Sequence, residues 1–241
     1  MKKLYNMFGG GYFVIFIVFL VLSIIVGEVL KSRFQKYSKI PTNYGLTGKE
    51  VAEKMLRDNG IYDVKVVCVP GELTDHYNPV TKTINLSSEV YYGQNVSAAA
   101  VAAHETGHAI QHATAYSMLK LRTALVPLQN ISAQIMNIIF TMMFFGALFF
   151  GSIISFETAI YIITACYAIF TLFAFVTLPV EIDASRRALA WLSNSNITTF
   201  TTHDKAKDAL KWAAYTYVIS ALSSLAMLLY FLSLIGTRRD D

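Results

Sequence analysis

A chain of 241 residues with 54% hydrophobic and 15% charged residues lies outside the balance of a soluble domain, where about a quarter of residues carry charge. The formal net charge of +4 needs no nucleic acid to explain it; anionic lipid suffices. Two isolated cysteines, Cys68 and Cys166, exclude a disulfide scaffold and give no redox or metal spacing.

Residues 12–30 form the first of four runs long enough to cross a bilayer, which takes about 20 mostly apolar residues. The others are 131–154, 158–180 and 214–235. The first run is too long for a cleavable signal peptide, and the basic stretch 31–39 stands where a cleavage site would be. The expected fold is mainly α, a polytopic membrane protein with four transmembrane helices and a small cytoplasmic α+β module. Its expected parts are a tail and first span (1–30), a catalytic loop module (31–130), spans two and three (131–180), a helical segment (181–213), and span four with its tail (214–241). Of the 20 Lys and Arg, four (Lys2, Lys3, Arg238, Arg239) are at the termini and the other 16 fall in 31–130 and 181–213. The positive-inside rule therefore puts both loops in the cytoplasm and the termini outside.

The first loop is long enough for a folded module. Thr47 and Glu50 form a capping box that opens a helix with the apolar stripe Val51, Met55 and Leu56, stopped at Asn59-Gly60. Residues 61–69, rich in valine, read as a strand ended by Pro70-Gly71. Residues 73–87 read as a hairpin about Asn78-Pro79, and an edge strand here is a natural place for a peptide to add. Asp75 and His76 in this hairpin are either a substrate-contacting or supporting pair, or turn residues bonded to their own backbone.

Ser97 is the expected N-cap of the next helix, followed by Ala98, Ala99, Ala100, Ala102 and Ala103. This helix carries His104-Glu105-Thr106-Gly107-His108. Residues four apart share one helix face, so the two imidazoles can pinch one ion, while Glu105 lies a turn-fraction away. That is the H-E-x-x-H pattern of zinc hydrolases: two ligands, and a carboxylate to take a proton from a zinc-activated water. Gly107 costs about 1 kcal/mol in a helix interior and so asks for a close neighbour. His112 continues the face, but lies roughly 12 Å along the axis from His104 and reads as a supporting residue.

Zinc needs a third protein ligand. Glu181 and Asp183 emerge where the third span ends, and a carboxylate at that place is expensive unless paired or coordinated. Glu181 is the expected third ligand, with Asp183 as the alternative or as an orienting partner for a histidine. Arg186 and Arg187 face either lipid headgroups or these carboxylates. Residues 198–202 read as a β-prone patch, and 202–204 as a cap for a helix running into the fourth span. His203, Tyr215 and Tyr217 are the available donors for an oxyanion.

Three stretches carry a family resemblance: His-Glu-Thr-Gly-His-Ala-Ile-Gln-His from His104, Leu-Thr-Asp-His-Tyr-Asn-Pro from Leu73, and Leu-Pro-Val-Glu-Ile-Asp-Ala-Ser-Arg-Arg-Ala from Leu178. Together they resemble the YugP-type membrane neutral zinc metallopeptidases, over nearly the whole chain. The resemblance implies a zincin-like module, a bacterial plasma-membrane setting and a ligand role for Glu181. More distantly the layout is similar to the HtpX-like membrane proteases, whose third ligand opens a Glu-x-x-Ala-Asp motif. Here Ser185 stands in place of that aspartate, which leaves Asp183 and Asp75 as candidates to support a zinc histidine.

The function expected is that of a membrane-embedded zinc metalloendopeptidase acting on peptides or membrane proteins. Its cofactor is Zn2+, with His104, His108 and Glu181 as ligands and Glu105 as general base. The partners expected are the lipid bilayer and the substrate, with no nucleic acid. The alternative is a zinc-binding membrane scaffold or pseudo-protease without hydrolytic activity.

Overall fold

The structure, a computed structural model, describes residues 10–149 and 155–236. Among these, the elements in order are α1 (Gly10–Tyr37), α2 (Gly48–Asp58), β1 (Lys65–Val69), β2 (His76–Asn78), β3 (Thr83–Ser87), α3 (Ser88–Tyr92), α4 (Val96–Ala113), α5 (Ser117–Phe149), α6 (Phe156–Asn194) and α7 (Phe200–Gly236). The fold is mainly helical, as the composition suggested.

The chain divides into two compact units. The first holds the described parts of Met1–Ile24, Leu121–Thr177 and Tyr217–Asp241. Its interior is apolar: Met136 and Ile139 of α5, Ile160 and Ile163 of α6, and Phe231 of α7 cluster together, with Tyr12 of α1 packed against them. The Tyr167 and Phe231 rings stack with centroids 5.4 Å apart. Among the described residues, α1, α6 and α7 are long and apolar enough to cross a membrane. Three of the four expected runs therefore lie on helices long and apolar enough to span. The remaining run, 131–154, begins on α5, and its end at 150–154 lies outside the described residues.

The second unit joins Ile25–Lys120 to Leu178–Thr216 and contains the sheet. Strand order is β1-β3-β2, with β3 central, parallel to β1 and antiparallel to β2. The hairpin expected about Asn78-Pro79 is present, and Asn78 closes its turn by accepting from the Val80 and Thr81 N–H groups at 2.9 and 3.2 Å. The strand expected over 61–69 is shorter, starting at Lys65. Its first residue is diverted, because the Ile61 N–H bonds the Leu56 carbonyl and closes the end of α2.

Helix α2 begins with the expected capping box, in which Thr47 and Glu50 each satisfy the other's backbone N–H. Such a cap stabilises by about 1 kcal/mol. Helix α4 starts differently from the expectation. Its N-cap is Asn95, whose side chain accepts from the Ala98 N–H, whereas the Ser97 hydroxyl donates to the Phe34 carbonyl of α1 at 2.8 Å. Both residue types suit a cap, and the contact with α1 decides between them.

The core of this unit forms around the alanine face of α4, where Ala98, Ala99, Ala100, Ala102 and Ala103 pack with Val51, Met55, Ile84, Leu86 and Leu192. Small side chains bring α4 close to its neighbours. The Tyr37 hydroxyl donates to Asp208 at 2.6 Å, and the Trp191 indole N–H donates to Asp58 at 3.0 Å, tying α1 to α7 and α6 to α2. Residues 198–202 form no strand. Thr199 and Thr202 bond each other's backbone N–H, so the cap of α7 is Thr199 and the expected 202–204 lie inside the helix.

Candidate metal centre

Helix α4 presents His104 and His108 one turn apart, with imidazole centroids 4.8 Å apart and the rings nearly perpendicular. Glu181 comes from α6, directly after the apolar run 158–180, and is 2% exposed. Its Oε2 stands 3.3 Å from His104 Nε2 and 3.4 Å from His108 Nε2. One donor atom from each of these three residues lies within 4.8 Å of the others, so they could hold a metal ion.

The donor set fits zinc. A tetrahedral site with bonds of about 2.0–2.2 Å needs ligand atoms roughly 3.3 Å apart, and both nitrogen–oxygen separations have that length. The electrostatics agree. Burial raises the cost of charge on Glu181, yet the His104 and His108 imidazoles beside it hold its carboxyl well below the ordinary range. Burial likewise opposes charge on His108, and Glu181 overrides it, raising the imidazole above its usual value. The cluster favours positive charge at its centre, and a divalent cation that bound there would displace the imidazole proton.

Each histidine has its second nitrogen engaged. Ser185 Oγ lies 3.1 Å from His104 Nδ1. His108 Nδ1 lies 3.0 Å from Gln111 Oε1, and the Gln111 amide donates onward to the Val180 carbonyl at 2.8 Å and to Asp183 Oδ2 at 3.0 Å. Asp183 therefore touches neither the donor cluster nor a histidine. It accepts from Arg186 at 2.5 Å and Arg187 at 2.6 Å. Burial works against its charge, but bonds from Arg187, Gln111 and Arg186 bring its carboxyl down to about 2. The arginines thus pair with a carboxylate, the second of the two readings open for them.

Glu105 is not one of the three donor residues. It is buried, and its Oε2 accepts the Tyr77 backbone N–H of β2 at 2.9 Å. Edge strand β2 is thereby fastened to the helix that carries both histidines. The Tyr77 hydroxyl makes a second fastening, 2.8 Å from His112 Nδ1. His112 is no member of the metal cluster; it holds the strand.

The hairpin pair divides. His76 Nδ1 bonds the nearby Thr74 carbonyl at 2.8 Å, which is the turn reading. Asp75 bonds across the hairpin, accepting from Ser87 N–H at 2.8 Å and from its hydroxyl. Burial pushes the Asp75 carboxyl up. It supports no histidine. Of the oxyanion candidates, His203 Nδ1 bonds Thr198 Oγ1 at 3.2 Å near the start of α7, and Tyr215 packs edge-on against Trp212. Tyr217 lies in the first unit rather than in the one that holds the metal cluster. Gln111 and Ser185, the residues that engage the histidines, escaped the sequence reading in that role. Ser185 was visible only as a departure from a motif.

Residues 12–236 match the protein family described as "Putative neutral zinc metallopeptidase". The chain is 39% identical over 212 residues to the "Putative membrane protease YugP" of Bacillus subtilis (strain 168), covering 88% of this chain and 91% of that relative. No solved structure matches it. The chain belongs to this zinc metallopeptidase family.

Proposed function

We propose that the protein is a zinc-dependent endopeptidase of the bacterial plasma membrane, with His104, His108 and Glu181 holding the ion and Glu105 acting as general base. The observation that carries this is the convergence of one oxygen and two nitrogens at 3.3 and 3.4 Å beside a carboxylate on the same helix. Zinc bound there would polarise the peptide carbonyl and bring the pKa of a water towards neutrality. The Tyr77 N–H holds Glu105 Oε2 and leaves Oε1 for the water. As the water oxygen bonds to the carbonyl carbon, Glu105 takes its proton, and returns it to the amine nitrogen as the C–N bond breaks.

The substrate proposed is an extended peptide or a segment of a membrane protein. Strand β2 is an edge strand of the sheet, and one of its N–H groups meets Glu105, so a chain laid along this edge would pass the base.

We propose four spans rather than three, on an argument from parity. His104 and Glu181 share one cluster, so the chain between them crosses the bilayer an even number of times. The run 158–180 on α6 would account for one crossing, and the apolar run 131–154, which begins on α5, for the other. The distribution of Lys and Arg favours the cytoplasm for the cluster.

Glu105→Gln tests the mechanism. Purified variant is expected to hold as much zinc as the parent and to lose proteolysis of an unfolded protein substrate. Cleavage at the parental rate would overturn the role of Glu105, and a parent that binds zinc and cleaves nothing would return the protein to the scaffold reading.

A further inference from the structure

Gln111 is wholly buried one turn beyond His108, and the chemistry of its partners fixes its orientation. Its amide nitrogen faces the Val180 carbonyl and the Asp183 carboxylate, both of which only accept. A flipped amide would set oxygen against oxygen at both places. Gln111 Oε1 is therefore the atom that meets His108 Nδ1, and Nδ1 must carry the hydrogen. Nε2, 3.4 Å from Glu181 Oε2, is then the nitrogen whose lone pair becomes available to a metal once its proton is displaced.

We infer that Gln111 is a positioning residue that presents His108 Nε2 to the metal, and that Asp183 with Arg186 and Arg187 acts by holding the Gln111 amide. This rests on the zinc-peptidase reading above. The common arrangement sets a carboxylate directly against a ligand histidine. Here a neutral amide stands between them, and the carboxylate is compensated on its far side by two guanidinium groups at 2.5 and 2.6 Å. The Arg187 guanidinium lies 5.9 Å from the Tyr116 ring centroid, which gives the outer end of the chain of contacts a second hold. The same amide bonds α4 to the Val180 carbonyl, the residue before Glu181. One side chain thus sets both the tautomer of one ligand and the distance to another.

The test uses full-length protein in detergent, stripped with a chelator and titrated with Zn2+ against a chromophoric competitor. Gln111→Met keeps the shape and removes every hydrogen bond, and its zinc affinity is expected to fall about 10–100-fold. The Co2+ absorption spectrum of the Met variant should also change, which a purely structural role would leave alone. Long-range 1H–15N correlation on the zinc-loaded parent, labelled in histidine, should show His108 bound through Nε2 with hydrogen on Nδ1. This reading needs no variant and decides the matter if Gln111→Met does not fold. Equal zinc affinity in parent and Gln111→Met, or coordination through Nδ1, overturns the assignment. A parent that takes up no zinc fails the metallopeptidase reading instead.

Discussion

Gly107 of α4 lies against the backbone of Ala184 of α6: a Cβ on Gly107 would stand 2.7 Å from the Ala184 carbonyl oxygen and 3.1 Å from its Cα. Gly107 precedes one histidine of the cluster and Ala184 follows its carboxylate by three residues. The absent side chain lets the two helix backbones approach until Glu181 reaches both Nε2 atoms. A glycine in a helix interior costs about 1 kcal/mol relative to alanine, and this contact is the reason for it.

Gly107→Ala should therefore harm the protein although alanine is the better helix former. The atoms in the way belong to a backbone and cannot swing aside, so α6 must move by several tenths of an ångström. Overpacking of this kind costs about 1–3 kcal/mol, which outweighs the gain in helix propensity. We expect a lower Tm in the metal-free protein and weaker zinc binding together. A variant as stable as the parent with full zinc content would show that the two helices can separate freely.

Glu181→Ala removes the one donor of the cluster that α6 supplies. Elemental analysis after dialysis should find about one zinc per parent chain and almost none in the variant. Chelation should also lower the parent's Tm, since a ligand present at about 1,000 times its Kd stabilises by roughly 4 kcal/mol. Zinc kept by Glu181→Ala would mean that another donor completes the site.

The parts of the site that could be read beforehand are those that local geometry decides. Two histidines four apart need only a helix to converge, and a carboxylate directly after an apolar run is conspicuous because it is costly there. Gln111 could not be recognised, because a glutamine inside a helix is unremarkable until α6 brings Val180 and Asp183 to it. Asp183 was legible as important but not in its action, which runs through that amide. The hairpin followed from Asn78-Pro79, yet nothing local indicated that β1 would pair in parallel with β3, since that pairing joins residues 18 apart. Asn95 and Ser97 were equally good caps in sequence, and a contact with α1, some 60 residues earlier, separates them.

His112→Ala separates a ligand from a fastening. The imidazole meets the Tyr77 hydroxyl and lies outside the metal cluster. Zinc content should be unchanged, and stability should fall by about 1 kcal/mol, the net worth of one hydrogen bond. Tyr77→Phe should match it in both respects, because the N–H that holds Glu105 belongs to the backbone and survives the substitution. Loss of zinc in His112→Ala would make it a ligand after all.

The two native cysteines test the membrane arrangement without any substitution. Cys68 is exposed on β1, 3.4 Å from the Ser88 hydroxyl, whereas Cys166 is buried within the apolar run of α6. A membrane-impermeant maleimide should label Cys68 alone, and only from the side on which the metal cluster lies. With cytoplasmic loops, inverted vesicles should label and intact spheroplasts should not. A tag joined after Asp241 should answer oppositely, because the run 214–235 returns the chain across the bilayer. If Cys68 and the tag react from the same side, the number of crossings between them is even; since His104 and Glu181 share one side, 214–235 would then be the run that does not cross.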